Sequence, residues 1–488
     1  MFNGLSGKEG DIALLKDRAR TIAGILNSIE NGEGVMIISH LDADGLSAGT
    51  IMLQSLLRTG VSPAMRIVKQ LDEDAIEGIS SNKSRFVILT DMGSGQKTLL
   101  KKVKGKEIIV VDHHQPEQLE TGILELNPHQ FGIDGSTEIS ASGTAFLLAK
   151  EMDPANNYLA NLAIVGALGD LQDKGKQSTL IGVNAEIAEE ASRAGLLEVK
   201  KGLKLYGFES RPLIKCMEYS LDPYLPGLSG DEGASFKFVK SLGIDPRMPD
   251  GTWKSVAELS NNELKTVING LIKYLILQGL SSKDAESIVG AIYLFTKESP
   301  EGPLRDAREF SSSVNACGRL GKFGLGISIC MVDRDKDLLE LKEVVQGYKR
   351  AISGYLNWLE KNQTAVVRIL PHVQALFGGT EIDEKMIGTI ISIAISSKPF
   401  RQDLPIIGFA NSEGVVKVSS RGTAELVKRG LDLGKVMKEA AERLGGAGGG
   451  HNIAAGAQIP GGKENEFFSM AEEIISKNMT GAQIEVKN

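Results

Sequence analysis

The chain has 488 residues, of which 42% are hydrophobic and 24% charged, and its formal net charge is −7. That length exceeds one ordinary core, so we expect two or three domains. The net charge argues against holding duplex DNA by bulk electrostatics, although a local basic groove is compatible with it. The odd count of three cysteines disfavours a disulfide framework. With no charged-then-apolar leader and no apolar run of membrane-spanning length, we expect a cytoplasmic protein without a membrane partner.

The first chemically informative stretch is a short apolar run, Val35 to Ile38, with ligand-type side chains directly after it. His40, Asp42 and Asp44 fall within five residues, and a helical pattern follows. In α/β proteins, ligands bind at the carboxyl ends of strands, where such loops lie. Crowded carboxylates and an imidazole require a neutralising cation, and this mixed set suits a metal such as Mn²⁺. An acidic surface turn without a ligand is the alternative for the stretch taken by itself.

Two later apolar runs end in the same way, which favours the metal hypothesis. Asp91 follows the run at 86–89, and Asp112, His113 and His114 follow the run at 107–111. Adjacent side chains on an extended strand point to opposite sides. We therefore expect one histidine to bind a metal and the other to face a substrate or to support the metal ligands.

Asp170 follows an apolar, helical stretch at 161–168. It is either a further metal ligand brought in from a helix end or a capping residue of the kind aspartate commonly provides.

The alternation of strand and helix between residues 35 and 170 predicts a mostly parallel sheet covered on both faces. Residues 180–310 are richer in helical patterns, and we predict helices there at 198–205, 261–278 and 283–294. The predicted fold class is α/β, with an N-terminal parallel-sheet domain, a helical insert, a long connecting helix at 335–359 and a smaller C-terminal α/β domain. The predicted domain bounds are 1–205, 206–310, 311–362 and 363–488.

Two polar stretches and one arginine complete the set of candidate residues. The segment 311–323 is a predicted polar loop that carries Asn315 and Arg319, and 445–451 is a glycine run that ends in a histidine. Glycines let backbone amides approach an anion closely, although a flexible helix end is the alternative for this run. Arg421 follows a predicted strand and offers a guanidinium fork to a phosphate.

Together these motifs resemble a known family. HLDADG, TDMG, DHH and GALGD, in that order, resemble the four motifs of the DHH phosphoesterase superfamily. VSSR followed by GGAGGGH resembles the DHH-associated C-terminal domain, and NACGR resembles the loop that RecJ-type nucleases carry before their connecting helix. DPYLPGLSGDE is similar to the archaeal branch of RecJ, which includes the GINS-associated nuclease.

The resemblance implies two Mn²⁺ or Mg²⁺ ions, with Asp91 as the ligand that bridges them. The implied metal ligands are His40, Asp42, Asp44, Asp91, His113 and Asp170. The implied catalytic residues are Asp91, His113 and His114, the last one phosphate-facing or supporting the ligands. The implied contacts to the substrate backbone are Asn315, Arg319, Arg421, Gly448, Gly449, Gly450 and His451.

In function, the resemblance implies a single-strand-specific exonuclease of DNA replication or repair that uses a two-metal mechanism, with DNA favoured over RNA. The GINS or replicative-helicase complex is the implied partner. One alternative is a small-substrate phosphoesterase for nanoRNA, bisphosphate nucleotide or cyclic dinucleotide, although such relatives are usually shorter and lack the insert. The other is a non-catalytic replisome scaffold, although every ligand position here still carries a competent residue.

Overall fold

The structure, a computed structural model, divides the chain into two compact units. The first comprises Met1–Pro212, Ser255–Glu258 and Ser287–Gln346, and the second comprises Leu213–Lys254, Leu259–Glu286 and Gly347–Asn488. The four predicted domain bounds stay a prediction. The described residues are 7–30, 32–208, 211–220, 223–256, 258–331, 335–395, 399–412 and 414–485.

The first unit is built on a five-stranded sheet whose neighbouring strands are all parallel. Its strands are β1 (Val35–His40), β2 (Ala64–Val68), β3 (Phe86–Thr90), β4 (Glu107–Val111) and β5 (Leu124–Leu126). The spatial order is β2-β1-β3-β4-β5. The central strands β1 and β3 are buried almost throughout, which explains why they read as continuous apolar runs.

Helices connect and cover these strands. They are α1 (Gly7–Asn27), α2 (Ala43–Arg58), α3 (Glu73–Ser81), α4 (Lys97–Leu100), α5 (Ala141–Met152), α6 (Ala160–Gly169) and α7 (Gly182–Arg193). The predicted fold class is confirmed: β1, β3 and β4 are adjacent and parallel, so the residues that follow each of them emerge at one edge of the sheet.

The stretch 180–310, which we predicted to be rich in helices, contains two strands at positions predicted as helices. These strands are β6 (Leu197–Leu203) and β7 (Val289–Phe295), which pair antiparallel. Local composition misled the prediction for β6, because its leucine, glutamate and lysine residues are good helix formers. The pairing with a strand almost ninety residues away overrides that preference. The helices of this segment are α8 (Leu213–Glu218), α9 (Glu232–Ser241), α10 (Asn261–Leu277) and α11 (Ser282–Glu286).

The prediction of a polar loop at 311–323 is also wrong, because most of this segment is helical. Helix α12 (Ala307–Arg319) begins at Asp306, whose carboxylate accepts the backbone N–H groups of Arg308 and Glu309. Its apolar face, which includes Val314 and Cys317, is fully buried. Serines and a glycine suggested a loop, but the cap and the buried face determine the helix. Helices α13 (Phe323–Cys330) and α14 (Leu338–Val366) follow.

The second unit has a mixed six-stranded sheet in the order β12-β13-β11-β10-β9-β8. Its core includes Phe409, which stacks on Phe377 with ring centroids 4.9 Å apart and meets Phe467 edge-to-face. The strands are β8 (Val367–Ile369), β9 (Gln374–Phe377), β10 (Ile406–Ser412), β11 (Val415–Arg421), β12 (Ala447–Gly450) and β13 (Ala454–Pro460). The helices are α15 (Ile387–Ala394), α16 (Ala424–Lys428), α17 (Leu433–Arg443) and α18 (Glu464–Glu485).

Short 3₁₀ helices supplement these elements at Ser94–Gln96, Pro128–Phe131, Pro154–Leu159 and Asp335–Asp337. In the described part of the chain, no helix combines the length and the apolar character needed to cross a bilayer.

Candidate metal centre

The loop after β1 holds its two aspartates by backbone contacts. Asp42 caps α2, because its Oδ1 accepts the Gly45 N–H at 3.0 Å. Asp44 is fully buried, and its two oxygens accept the N–H groups of Ala141 and Ser142 at 2.7 and 2.9 Å, at the start of α5. The hydrogen bonds from α5 fix the orientation of Asp44, and against the effect of burial they lower its pKa, because a helix N-terminus favours negative charge.

Glycine permits this crowding at two places. A Cβ at Gly45 would lie 2.5 Å from the carbonyl oxygen of His40, so only glycine fits the turn from strand to helix. A Cβ at Gly166 of α6 would lie 2.2 Å from Asp44 Oδ1. The close approach of α6 at this point brings Asp170, at its end, toward the same loop.

Asp91 lies between two groups of candidate ligands. It follows β3 with φ at +60°, and its side chain is 3% exposed. Its Oδ2 lies 3.4 Å from His40 Nδ1, and its Oδ1 lies 3.3 Å from His113 Nε2. The two oxygens of one carboxylate therefore face two different histidines.

His113 faces three carboxylates with a single nitrogen. Its Nε2 lies 3.3 Å from Asp91 Oδ1, 3.3 Å from Asp170 Oδ2 and 3.7 Å from Asp44 Oδ2. The other ring nitrogen, Nδ1, lies 2.6 Å from the carbonyl oxygen of Gly135, to which it donates when protonated. That hydrogen bond leaves Nε2 as the nitrogen that can bind a metal.

Two further side chains, Gln172 and Asn184, hold the Gly135 carbonyl in place, and neither was among the residues predicted from the sequence. Gln172 Nε2 donates to Gly135 O at 2.8 Å, and Gln172 Oε1 accepts from Asn184 Nδ2 at 2.7 Å. Gly135 lies in a loop, Gln172 in the segment after α6 and Asn184 in α7, so the three groups come together only after folding. In the sequence, Gln172 and Asn184 look like ordinary polar residues near helix ends, and no motif connects them with His113.

Asp112 organises the histidine pair and was absent from the predicted site. Its Oδ1 accepts the backbone N–H of His113 at 2.8 Å and lies 2.7 Å from His114 Nδ1, while its Oδ2 accepts the Ser94 N–H at 3.0 Å. His114 Nδ1 also lies 3.7 Å from Asp91 Oδ1, and its side chain is 36% exposed. The two histidines thus have different surroundings: His113 is buried among the carboxylates, and His114 reaches solvent.

The predicted ligands form two neighbouring groups, and Asp91 of the first group lies close to His113 of the second. His40, Asp42 and Asp91 form one, and Asp44, His113 and Asp170 form the other; within each, one potential ligand atom per residue lies within 4.8 Å of the others. A third group of Asp91, His113 and His114 overlaps both. The structure therefore brings together all six residues of the predicted ligand set.

Burial and mutual repulsion shift the pKa values of these residues. Burial, reinforced by Asp91, raises the pKa of Asp44 to about 6. Burial and then Asp44 raise the pKa of Asp170 well above its ordinary value. Burial by itself would lower the pKa of His40, but the Asp42 and Asp91 carboxylates raise it to about 10.

These shifts describe a site with an excess of negative charge that protons partly neutralise. Asp91 Oδ1 is buried and, among the described residues, forms no hydrogen bond. Carboxylate oxygens and imidazole nitrogens suit a divalent ion such as Mn²⁺. The residues present therefore fit a metal centre, in which a bound cation would replace the protons.

Two of the predicted substrate contacts, Asn315 and Arg319, lie on α12 beside this centre. Asn315 Oδ1 accepts the backbone N–H of Ala43 at 2.8 Å. Burial by itself would raise the pKa of Asp42, but the charge of His40, aided by that of Arg319, holds it well below its ordinary value.

The remaining predicted contacts lie together in the second unit, at one end of its sheet. Arg421 pairs with Ala454 across β11 and β13, and the Ala454 carbonyl accepts the His451 N–H at 2.8 Å. Arg421 Nε donates to Ser392 Oγ at 2.8 Å, and Nη1 donates to the Ser420 carbonyl at 2.8 Å. These contacts hold the guanidinium against α15.

Only the first two glycines of the run follow the end of α17, where their N–H groups bond to helix carbonyls, and residues 447–450 form the edge strand β12. Gly448 and Gly450 pair with β13 and adopt backbone positions that a side chain would disturb. A Cβ at Gly448 would lie 2.4 Å from the Met437 carbonyl oxygen of α17, and Gly450 has φ at +138°. A Cβ at Gly449 meets nothing within 4 Å.

Three family models match successive parts of the chain. The N-terminal domain of the DHH family matches residues 34–168, the DHH-CID domain matches 205–289, and the DHHA1 domain matches 363–477.

Two related sequences agree with these matches. The uncharacterized protein MJ0831 of Methanocaldococcus jannaschii is 33% identical over 475 residues, which cover 95% of this chain and 99% of that protein. The single-stranded-DNA-specific exonuclease RecJ of Bacillus subtilis is 26% identical over 189 residues, which cover 36% of this chain and 24% of that protein.

Two solved structures share the fold. RecJ from Thermus thermophilus in complex with Mn²⁺ aligns over 98% of this chain, with a TM-score of 0.55 and 17% identity, and this chain spans 56% of it. CDC45 from Entamoeba histolytica aligns over 96% of this chain and 98% of its own, with a TM-score of 0.61 and 12% identity. The matching domains, the near full-length relative and the shared fold show that the chain belongs to the RecJ-like DHH superfamily, whose members are metal-dependent phosphoesterases.

Proposed function

We propose that the protein is a metal-dependent exonuclease that hydrolyses phosphodiester bonds of single-stranded nucleic acid, with DNA as the favoured substrate. The observation that carries this proposal is the position of Asp91, whose two oxygens face His40 on one side and His113 on the other. That arrangement supports a centre for two Mn²⁺ or Mg²⁺ ions. The sequence match to a single-stranded-DNA-specific exonuclease supports the substrate class.

Each residue has a proposed role. His40, Asp42, Asp44, Asp91, His113 and Asp170 would hold the metal ions, which when bound lower the pKa of water and stabilise charge on the scissile phosphate. His114, oriented by Asp112 and 36% exposed, is placed to exchange a proton or to contact a phosphate oxygen. We assign Arg421, Gly448, Gly449, Gly450 and His451 to the substrate backbone, because guanidinium and amide N–H groups bind phosphate oxygens.

Arg319 is assigned to the substrate as well, since its charge lies near Asp42 at the rim of the metal centre.

Replication or repair is the proposed setting, with the GINS complex as the proposed partner. The resemblance of DPYLPGLSGDE to the archaeal branch of RecJ supports this partner.

The activity is tested with purified protein, Mn²⁺ and single strands of DNA and RNA that carry a label at either end. We expect stepwise shortening of long strands, and the end that loses its label first gives the polarity. A dinucleotide is the control for the small-substrate alternative, and Asp91→Asn is the control for contaminating nucleases. Cleavage of the dinucleotide alone would exclude the exonuclease, and absence of any cleavage by a Mn²⁺-loaded protein would favour the scaffold.

A further inference from the structure

Helix α12 contacts the backbone on both sides of Asp42, although 272 residues separate Asn315 from Ala43. Asn315 Oδ1 accepts the Ala43 N–H at 2.8 Å. Gly318, three residues later and thus on the same face of the helix, lies against Leu41: a Cβ there would be 1.8 Å from the Leu41 carbonyl oxygen. The peptide units before and after Asp42 are therefore held by a single helix face.

The hydrogen bond satisfies a group that has no partner within its own helix. Ala43 is the first residue of α2, and the first four N–H groups of a helix lack intrahelical acceptors. The Gly45 N–H uses Asp42 Oδ1, and the Leu46 N–H uses the Asp42 carbonyl. Ala43 is fully buried, so its N–H would lose both water and partner if Asn315 were shortened.

The consequence falls on the metal ligands, because Ala43 lies between Asp42 and Asp44. Both carboxylates leave the backbone within one residue of the peptide that Asn315 holds. We propose that Asn315 is a positioning residue of the metal centre, which fixes the 41–44 turn, and that it does not contact the substrate as its motif suggested. This inference rests on the proposed metal-dependent function, and within that function it assigns Asn315 to the metal centre instead of to the substrate.

The test measures Mn²⁺ affinity of the full-length protein by titration calorimetry. We expect Asn315→Ala to lower the affinity by about 10- to 100-fold, the usual effect of removing a group that supports metal ligands. At saturating Mn²⁺, its KM for a single strand should stay within about twofold of the wild-type value, because substrate binding is untouched. Asn315→Asp retains an acceptor oxygen and should bind Mn²⁺ at least as tightly as the wild type.

Ser312→Ala is the matched control, since Ser312 lies on the same helix with a similar, partial exposure. Its Mn²⁺ affinity should equal the wild-type value. Thermal unfolding of the metal-free variants shows whether each one is folded; if Asn315→Ala is not, Asn315→Asp carries the test.

Wild-type Mn²⁺ affinity in a folded Asn315→Ala variant, or a raised KM at saturating Mn²⁺, would overturn the proposal. So would weak binding by Asn315→Asp, or a wild-type protein that binds no Mn²⁺. The expected affinity pattern in a protein that cleaves no nucleic acid would instead uphold this inference and reject the proposed exonuclease.

Discussion

Asp91 shows how much of the site depends on the conformation of one residue. A φ of +60° is uncommon for a residue with a side chain and carries a modest conformational cost. In return, the residue turns away from β3 while its N–H still bonds to the Val111 carbonyl of β4 at 3.1 Å. The carboxylate can then present one oxygen to each histidine.

We therefore predict that Asp91→Asn lowers Mn²⁺ affinity by more than the roughly 100-fold that marks the loss of a supporting residue. The amide has nearly the same shape but no charge, so the fold should survive. Calorimetric titration with Mn²⁺ measures the affinity, and circular dichroism checks the fold. An affinity near the wild-type value would contradict the central role of Asp91.

The pKa values predict that metal binding competes with protons. Burial and Asp91 raise the pKa of Asp44 to about 6, so Asp44 takes up a proton in the metal-free protein as the pH falls below that value. Burial alone would lower the pKa of His40, but Asp42 and Asp91 raise it to about 10. His40 is therefore protonated at neutral pH and must release that proton before it can bind a metal ion.

We expect Mn²⁺ affinity to fall as the pH is lowered from about 8, and to fall more steeply below about 6, where Asp44 also takes up a proton. Titration in two buffers with different ionisation enthalpies counts the protons released at each pH. An affinity that does not change over this range would contradict the predicted competition.

At the scale of elements, close approaches decide what the glycine motifs do. Strand β12 packs on α17 at Gly448, whereas the neighbouring Gly449 has open space beside it. The two glycines look alike in the sequence and differ only in what lies next to them. They provide a matched pair in which both are assigned to the substrate but only Gly448 is also packed against a helix.

Gly448→Ala should lower the free energy of unfolding by about 1–3 kcal/mol, the usual cost of forcing extra volume into a packed site. Gly449→Ala should leave stability unchanged or raise it by up to about 1 kcal/mol. If the Gly449 backbone lies against the substrate, as proposed, this second variant raises KM for the single strand. Urea unfolding and steady-state kinetics measure the two effects; equal stability losses would contradict the assignment.

At the scale of the whole molecule, the net charge of −7 means that attraction to the proposed nucleic-acid substrate must come from local groups. Phosphate contacts release counterions, so binding to a single strand weakens with salt in proportion to their number. The salt dependence of binding thus reports how many cationic contacts the substrate makes.

We predict that Arg421→Ala reduces the slope of log affinity against log salt by about 0.7, the value of one phosphate contact on a single strand. Binding is measured by fluorescence anisotropy in the Asp91→Asn background, which prevents cleavage. Arg443→Ala is the control, because Arg443 pairs with Glu439 on the exposed face of α17 and has no proposed contact. An unchanged slope in Arg421→Ala would reject its phosphate role.

The sequence by itself determined the parallel sheet and the residues that gather at its edge. Buried parallel strands need continuous apolar runs, and His40, Asp91 and His113 follow such runs directly, so local order was enough to predict them. The tertiary structure alone decided the strand pairing of β6 with β7, the contact of Asn315 with Ala43 and the hydrogen bond from Gln172 to Gly135. Each of these depends on a partner far away in the chain, and composition and periodicity report only on near neighbours.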